Sequence, residues 1–394
     1  MTAAKSDRTS DILIVGGGIM GLSLAWELSQ RGHEVSIAEA ASIGRGQPGA
    51  SSWAGAGILP PAPQCNRNDP FEELQYLSQQ THQKWAESLL EKTGIDTGFR
   101  KCGGIHLART PGEKATLVGN ESWWSLHGIE YERLDASELE QLEPKIALHL
   151  AESSKTIAST NSAAKIRGWR LPGESQLRNP DHLRALRCAC ERSGVSFLQN
   201  SKVVEIESKN VAPVSAVLDN KTRVHASLVA ICSGAWSREF LDRMEIPNGL
   251  MPVRGQMLLY HPPQALLTHV LNEGNRYLVP RVDNRLLVGS VEEEVGFQPF
   301  TTEEALGQLA KWATSILPEL AELTPEQSWA GLRPGSFDGL PYIGAVPGHE
   351  NLFIAAGHFR NGLYLSTGTA LCLANVIEKK SPPLDLTPFR LARG

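Results

Sequence analysis

Three glycines form the first candidate site of the chain, in the spacing Gly16-x-Gly18-x-x-Gly21. They follow an apolar run at 12–15, and an acidic residue, Glu39, lies 18 positions beyond the last glycine. Glycines at a strand-to-helix turn let the backbone approach a pyrophosphate, and the first N–H groups of the helix attract the anion. A carboxylate at Glu39 accepts hydrogen bonds from ribose hydroxyls and repels a 2′-phosphate. The pattern predicts a dinucleotide without a 2′-phosphate and leaves NAD and FAD open.

An arginine far along the chain is the second candidate. Arg333 stands in Gly-Leu-Arg-Pro-Gly, which we interpret as a turn that fixes the direction of its side chain. A guanidinium presents a fork of donors that matches the two oxygens of a carboxylate. The alternative is an ordinary surface arginine. Tyr277 could offer its hydroxyl to the same anion, although a tyrosine alone is equally typical of a core.

Other reactive arrangements are missing from the sequence. It carries no Ser/His/Asp set, no metal-ligand spacing and no Walker-type loop. The six cysteines are scattered, and Cys188 and Cys190 would lie on different sides of a helix, which argues against a disulfide or a zinc pair. Free thiols of this kind are typical of a reducing cytoplasm.

The elements that must position these residues alternate between strand–helix units and broader strand segments. A small-residue stretch at 44–57 predicts a loop, and a late strand at 353–357 leads into a second turn and a helix over 363–377. Periodicity predicts helices over 70–93, 180–193 and 303–316, strands at 34–38, 99–108, 203–206, 227–231 and 255–260, and a hairpin over 277–291 with its turn at Asp283-Asn284.

We therefore predict an α/β (α+β) fold with two domains that interleave in sequence. The first is a Rossmann-type dinucleotide-binding domain over 10–62, 155–240 and 335–390. The second is a substrate domain with a mostly antiparallel sheet over 63–154 and 241–334. A chain of 394 residues is long enough for two domains of ordinary size.

Composition and charge exclude several classes of protein. With 41% hydrophobic and 21% charged residues, the composition is typical of a soluble globular protein. The net charge of −5 argues against nucleic acid or an anionic membrane as a partner. The sequence contains no run of about 18 apolar residues, so we predict no transmembrane helix. Residues 1–10 lack the apolar stretch of a secretory signal. We expect a cytoplasmic protein.

Several motifs resemble those of the D-amino acid oxidase superfamily of flavoproteins. They are the first glycine pattern with Glu39, Ala50-Ser51-Ser52 followed by Ala56-Gly57-Ile58-Leu59, and Ser233-Gly234-Ala235-Trp236-Ser237. The blocks at 330–344 and 355–362, together with 277–281, are more selective and resemble the glycine oxidase family, which includes the ThiO-type enzymes of thiamine biosynthesis. The resemblance runs from about residue 11 to 377.

The resemblance implies FAD as the cofactor. No cysteine lies near the matching segments upstream of Arg360, where covalent members of the superfamily carry one, so the FAD is expected to be non-covalent. The implied FAD-binding residues are Gly16, Gly18, Ile19, Met20, Gly21, Glu39 and Ala40 for the adenosine diphosphate, Ser51 and Ser52 for the pyrophosphate, Ala56, Gly57 and Ile58 along the isoalloxazine, Val203 for the adenine, Ser233, Gly234 and Trp236, and His358, Phe359, Arg360, Asn361, Gly362, Leu363 and Tyr364 at the pyrimidine end.

The resemblance also implies the substrate site and the reaction. Arg333 would bind the carboxylate of a small amino acid, Tyr277 would donate to it, Arg360 would contact flavin or substrate, and Ile58 would face the pocket. Glycine, sarcosine or a small D-amino acid would be oxidised by hydride transfer from Cα to flavin N5. Molecular oxygen would be the acceptor, and imino acid and hydrogen peroxide would form. A homo-oligomer is usual in the family.

Two positions depart from the family pattern. Asn275 stands where a histidine often precedes the tyrosine by two, and Glu292 stands where an apolar residue is expected to line the pocket. An inward Glu292 would favour a substrate with an extra amino group or repel acidic ones. The alternative is that the run of glutamates from 292 to 294 is a solvated turn. Two other functions stay open: a D-amino acid dehydrogenase that passes electrons to a quinone, and a flavin-binding protein without turnover.

Overall fold

The computed structural model of the chain describes residues 8–43, 49–146, 166–208 and 213–393. The strands are β1 (Arg8–Val15), β2 (Val35–Ala38), β3 (Ile58–Leu59), β4 (Arg100–Lys101), β5 (Gly104–Leu107), β6 (Glu132–Asp135), β7 (Ile166–Leu171), β8 (Ser175–Gln176), β9 (Ser196–Leu198), β10 (Val203–Glu207), β11 (Val214–Leu218), β12 (Arg223–Ile231), β13 (Met251–Tyr260), β14 (Val270–Glu273), β15 (Arg276–Pro280), β16 (Leu286–Gly289), β17 (Gln327–Gly335), β18 (Tyr342–Val346) and β19 (His349–Ala356). The helices are α1 (Ile19–Gln30), α2 (Ser51–Ala54), α3 (Pro70–Thr93), α4 (Pro111–Leu126), α5 (Ala136–Leu142), α6 (Asn179–Arg192), α7 (Ser237–Arg243), α8 (Glu303–Ile316) and α9 (Gly362–Ile377).

Parallel strands form the centre of the first sheet, in the order β19-β12-β1-β2-β9. The apolar residues at the end of β1 are buried on both faces, as a central parallel strand requires. Helices α1, α3, α6 and α9 pack together on one face, where Trp26 and Trp85 meet edge to face at 4.6 Å. The antiparallel strands β10 and β11 extend the sheet on one side and β18 pairs with β19. This is the predicted Rossmann-type arrangement.

The second sheet has the order β17-β13-β16-β15-β14-β5-β7-β6. Its strand pairs are antiparallel except for β14 with β5. One face carries Leu258, Leu278 and Val288, which pack against α8. The other face carries Met257 and Tyr277 and turns toward the first sheet. The predicted fold class, a Rossmann-type domain with a mostly antiparallel second domain, is confirmed.

The strands of the two sheets are interleaved along the chain. The sheet to which β7 belongs, however, differs from the predicted assignment of residues to the two domains. The range 155–240 was assigned to the dinucleotide-binding domain, yet β7 pairs with β5 and β6 in the second sheet. The predicted boundary at 154/155 lies outside the described residues. In a small third sheet, β8 pairs with β3 and β4 and thereby links 58–59 to 100–101.

Three local predictions were wrong. The strand expected over 99–108 is broken at Gly103, whose φ of +72° departs from extended backbone. The loop expected over 44–57 contains α2, although 44–48 lie outside the described residues. The turn expected around Arg333 is part of strand β17. No helix in the described parts of the chain combines the length and apolarity needed to cross a membrane.

Candidate active site

A cavity of about 610 Å³ lies where the carboxyl ends of β1, β12 and β19 face the second sheet. Its volume falls in the range usual for ligand and cofactor sites. The predicted residues that line it are Gly16, Gly18, Ile19, Met20, Glu39, Ala40, Ser51, Ser52, Ala56, Gly57, Ile58, Val203, Ser233, Gly234, Trp236, Tyr277, Arg333, His358, Phe359, Arg360, Asn361, Gly362 and Leu363. The cavity therefore collects segments that are far apart in sequence.

The glycine turn closes tightly on its surroundings. Gly16 has a φ of +111°, and a Cβ there would lie 2.6 Å from the carbonyl oxygen of Cys232. A Cβ on Gly21 would lie 1.9 Å from the carbonyl oxygen of Gly16, so only glycine lets α1 start against β1. Helix α1 begins without a side-chain cap, and Ser52 Oγ accepts from the Ile19 N–H at 3.0 Å. Because side chains bind the Gly17 and Ile19 N–H groups, the other N–H groups of the first turn of α1 are the donors available to an anion at this end of the cavity.

Glu39 is held by the glycine turn itself. Its Oε2 accepts from the Gly17 N–H at 2.7 Å, and its Oε1 accepts from the Ala41 N–H at 3.1 Å. In the described part of the chain it forms no ion pair with a cation. Each carboxylate oxygen can take more than one donor, so the half-buried side chain retains capacity for ribose hydroxyls.

The other end of the cavity lies at the start of α9. A short 3₁₀ turn at Phe359–Asn361 leads into this helix, which has no side-chain cap. His358 is buried there, and burial lowers its pKa from 6.5 to about 3, so the imidazole is neutral. Its Nε2 lies 3.1 Å from Thr369 Oγ1, while its Nδ1 has no partner among the described residues. The polar feature that faces the cavity at this end is therefore the uncapped start of α9, whose first N–H groups are free of side-chain partners.

Arg333 reaches the cavity from β17 and crosses the backbone of β13. A Cβ on Gly255 would lie 2.4 Å from its Nη2, so glycine at 255 makes room for the guanidinium. Nη1 donates to the carbonyl oxygen of Val291 at 3.0 Å and Nη2 donates to Ser290 Oγ. Burial lowers the pKa of Arg333 below its ordinary value. Within the described residues no carboxylate pairs with it, so a half-buried cation is available to an anionic ligand.

Tyr277 lies beside this guanidinium on the same face of the second sheet. It stands opposite Gly289 in the pairing of β15 with β16, and a Cβ on Gly289 would lie 2.5 Å from its ring. Its hydroxyl lies 3.6 Å from Met257 Sδ, a weak acceptor. The hydroxyl can therefore donate to a better acceptor, such as a carboxylate, at low cost.

Arg360 lines the cavity from the 3₁₀ turn and pairs with a residue outside it. Its Nη1 forms an ion pair with Glu292 Oε1, and its Nη2 donates to the carbonyl oxygen of Asn275 at 3.0 Å. Its Cζ lies 6.0 Å from the centre of the Tyr277 ring, at the outer limit of a cation–π contact. Positions 275 and 292 thus both contact Arg360, the first through its backbone carbonyl and the second through its carboxylate.

Three predicted site residues do not line the cavity. Gly21 lies behind the turn, where it allows the close packing of α1. Tyr364 points into the core beneath α9, where only 2% of it is exposed and burial raises the pKa of its phenol. Glu292 lies outside and acts on the cavity through Arg360. Glu292 and Glu294 are exposed, whereas Glu293 is half-buried and pairs with Arg254 at 2.9 Å.

Sequence analysis missed a polar cluster on the far wall of the cavity. Glu174 is 1% exposed, and its carboxylate accepts from Asn272 Nδ2 at 3.0 Å and lies 3.3 Å from His106 Nε2. Asn272 stands opposite Tyr277 and beside His106 in the second sheet. No local motif marks these residues, because the pairing of three distant strands brings them together. The described residues contain no group of side chains suited to a metal ion.

These features fit the two halves of FAD. The tight glycine turn, the uncapped start of α1 and Glu39 suit a pyrophosphate and an unphosphorylated ribose. The uncapped start of α9 suits the polar edge of an isoalloxazine ring. The Arg333 guanidinium suits the carboxylate of a second, smaller ligand.

Comparisons with known proteins agree with this geometry. The DAO family, described as FAD dependent oxidoreductase, matches residues 11–376. A glycine oxidase from Geobacillus kaustophilus is 32% identical over 385 residues, which is 97% of each chain. A bifunctional protein ThiO/ThiG from Trichormus variabilis is 30% identical over 98% of this chain and 55% of its own length. The crystal structure of glycine oxidase from Geobacillus kaustophilus superposes with a TM-score of 0.88 at 31% identity, and covers 98% of this chain and 99% of that one.

A family match over nearly the whole chain, a relative above 30% identity and a site that fits both halves of FAD lead to one assignment. The chain belongs to the DAO family of FAD-dependent oxidoreductases.

Proposed function

We propose that the chain oxidises glycine and related small amines, such as sarcosine and small D-amino acids, with molecular oxygen as the acceptor. The observation that carries this is Arg333, a half-buried guanidinium at the cavity wall without a carboxylate partner in the described residues. An amino acid carboxylate would satisfy it, and Tyr277 would supply a further donor. Bound FAD supplies the two-electron acceptor for the hydride that leaves Cα, and oxygen then takes these electrons as hydrogen peroxide.

The residues of the chain position the substrate. A carboxylate fixed by two donors of Arg333 cannot rotate freely, so the Cα–H of the same molecule points in a set direction. Ala56, Gly57 and Ile58 line the cavity on the facing side and would keep water away from the reacting carbon. The product imino acid would hydrolyse to the oxo acid or pass to thiazole synthesis. The likeness to a bifunctional ThiO/ThiG protein supports the second route.

A non-covalent cofactor also belongs to this proposal. Cys232 lines the cavity, but burial raises the pKa of its thiol to about 12, so it is not a nucleophile at neutral pH. Denaturation should therefore release FAD into the supernatant, and flavin that stays on the chain would contradict this. All six cysteines lie in described residues and are free, which fits the cytoplasm. A homo-oligomer is proposed from the resemblance, and light scattering tests it.

The first testable prediction concerns Arg333 in the purified holoenzyme. Arg333→Ala should lower kcat/KM for glycine on the order of 10²- to 10⁴-fold, since each charge-assisted hydrogen bond contributes about 1.5–3 kcal/mol. Arg333→Lys should retain part of the activity, because the charge stays and the fork is lost. Peroxide formation in air and anaerobic flavin bleaching are the measurements.

The matched control is Arg184→Ala, which removes an exposed arginine of α6 paired with Asp181. It should leave the kinetics unchanged. An unchanged KM in Arg333→Ala would contradict the carboxylate site. If amines reduce the flavin and a dye but no peroxide forms, the acceptor is a quinone-type compound and not oxygen. No flavin reduction by any amine would favour a flavin-binding protein without turnover.

A further inference from the structure

We propose that Glu292 is a positioning residue for charge selectivity. Its pairing with Arg360 leaves Arg333 as the free guanidinium at the substrate end of the cavity. The enzyme thereby disfavours amines that carry a second carboxylate. This inference rests on the proposed oxidation of small amino acids and adds the excluded substrate class.

Two arginines line the substrate end of the cavity, and their surroundings differ. Arg333 donates to two neutral oxygens, the Val291 carbonyl and Ser290 Oγ. Arg360 is bound by an ionised partner, Glu292, through an ion pair. A substrate with one carboxylate therefore finds one guanidinium whose charge is not compensated. A second carboxylate would have to displace Glu292 from Arg360 or lie beside it.

The Glu292–Arg360 pair is held in place from several sides. The backbone carbonyl oxygen of Asn275 accepts from Arg360 Nη2 at 3.0 Å, and the side-chain Nδ2 of Asn275 donates to Glu292 Oε2 at 3.4 Å. About 27% of the Arg360 side chain and 31% of the Glu292 side chain are exposed. The pair lies at the mouth, partly in water, where an arriving ligand meets it first.

The charges of Glu292 and Arg360 also act on Arg333, at the carboxylate site. Burial lowers the pKa of Arg333 most, and the nearby charge of Arg360 lowers it further, whereas Tyr277 and Glu292 act in the opposite direction. Loss of the negative charge at 292 would leave two positive guanidiniums facing the same ligand. Such a site is suited to a dicarboxylate, whereas the present one is suited to a monocarboxylate.

The proposal concerns the charge at position 292 and not the other two glutamates of the run at 292–294. Glu293 is committed to Arg254 at 2.9 Å and to Gln256 Nε2 at 2.8 Å, on the far side of the segment. Glu294 is exposed and forms no ion pair in the described residues, which makes it the matched control.

The test measures ligand binding to the oxidised holoenzyme by the change in its visible flavin spectrum. The probes are glycolate, with one carboxylate, and malonate, with two. Glu292→Gln should tighten malonate binding on the order of five- to tenfold and change glycolate binding by less than about twofold, as expected for removal of one partly exposed repulsive charge. Glu292→Met should act in the same direction, and Glu294→Gln should change neither ligand.

Salt separates a charge effect from a structural one. The gain in malonate binding should shrink between low ionic strength and about 0.5 M salt, because screening shortens the reach of exposed charges. Equal changes for both probes, a gain independent of salt, or no gain in either variant at 292 would overturn the proposal.

The second part of the test measures turnover of substrates with one and with two carboxylates. The ratio of kcat/KM for iminodiacetate or D-aspartate to that for glycine should rise in Glu292→Gln and stay constant in Glu294→Gln. The binding arm needs no reaction, so the two proposals fail separately. If no amine reduces the flavin but malonate still gains over glycolate, the proposed function is wrong and the charge selectivity stands. If glycine is oxidised and the ratios do not move, the selectivity is wrong.

Discussion

At the residue scale, the site depends on small side chains as much as on reactive ones. Arg333 and Tyr277 both lie across glycines of neighbouring strands, Gly255 and Gly289. Glycine is not needed at 255 for its backbone conformation, since no positive φ occurs there. The absence of a Cβ at these two places is therefore part of the carboxylate site.

The prediction at this scale is Gly255→Ala. The new Cβ would lie 2.4 Å from Arg333 Nη2, which is the far end of a flexible side chain, so the guanidinium should move and the fold should stay. We expect kcat/KM for glycine to fall about 10- to 100-fold, the equivalent of one charge-assisted hydrogen bond. Steady-state kinetics measure this, and the flavin spectrum checks that the cofactor remains bound.

Gly119→Ala is the control for that change. Gly119 is exposed in α4, and a Cβ there meets no atom within 4 Å, so catalysis should be unaffected. Normal kinetics in Gly255→Ala, or loss of the flavin, would show that Gly255 does not serve Arg333.

At the element scale, one cation joins the hairpin of β15 and β16 to the segments that bound the cavity. Arg281 donates to the carbonyl oxygen of Ala56 at 2.6 Å, to Gln176 Oε1 at 2.8 Å and to the carbonyl oxygen of Leu177 at 3.1 Å. Burial lowers its pKa to about 10. A half-buried guanidinium bound to three neutral oxygens holds these elements at a fixed separation.

Arg281→Met should lower the free energy of unfolding by about 2–4 kcal/mol, because it leaves buried acceptors unpaired. It should also speed the dissociation of FAD, since Ala56 lines the cavity. Urea unfolding of the holoenzyme and the rate of flavin release are the measurements. Lys311→Met, on the exposed side of α8, is the control and should change stability by less than about 0.5 kcal/mol. Equal stability of the two variants would contradict this role.

The sequence predicts what is local and misses what pairing at a distance creates. The strand–glycine–helix unit with Glu39 is contiguous, so its spacing is enough to predict the fold around it. The sequence predicts a turn at the strand that carries Arg333, because Gly331, Pro334 and Gly335 suggest one locally. Glu174, just after β7, meets His106 only after β5 and β7 pair. The partner of Glu292 likewise depends on how the two sheets face each other.

At the scale of the whole molecule, three buried histidines make the fold sensitive to acid. Burial lowers the pKa from 6.5 to about 4 for His82 and to about 3 for His182 and His358. The unfolded chain takes up protons near pH 6.5 and the folded chain does not. These residues therefore contribute stability that is complete above this pH and is lost as the pH falls toward 4 and then 3.

We expect the free energy of unfolding to fall between about pH 6.5 and pH 4 by up to about 1.4 kcal/mol per pH unit for each of the three histidines. Urea unfolding at several pH values measures the slope. His182→Leu removes one of these groups and should reduce the slope by about 1.4 kcal/mol per unit. His261→Gln, at an exposed position, should leave it unchanged. A slope that His182→Leu does not alter would contradict the argument.

The position of β19 next to β12 has a consequence for biosynthesis. The glycine turn at 16–21 leaves the ribosome early. The strand and helix that complete its cavity, β19 and α9, span residues 349–377 and are synthesised near the end of translation. A nascent chain therefore cannot retain FAD before that stretch has emerged, and the apolar edge of β12 stays unpaired on that side until then. Flavin loading should follow translation rather than accompany it.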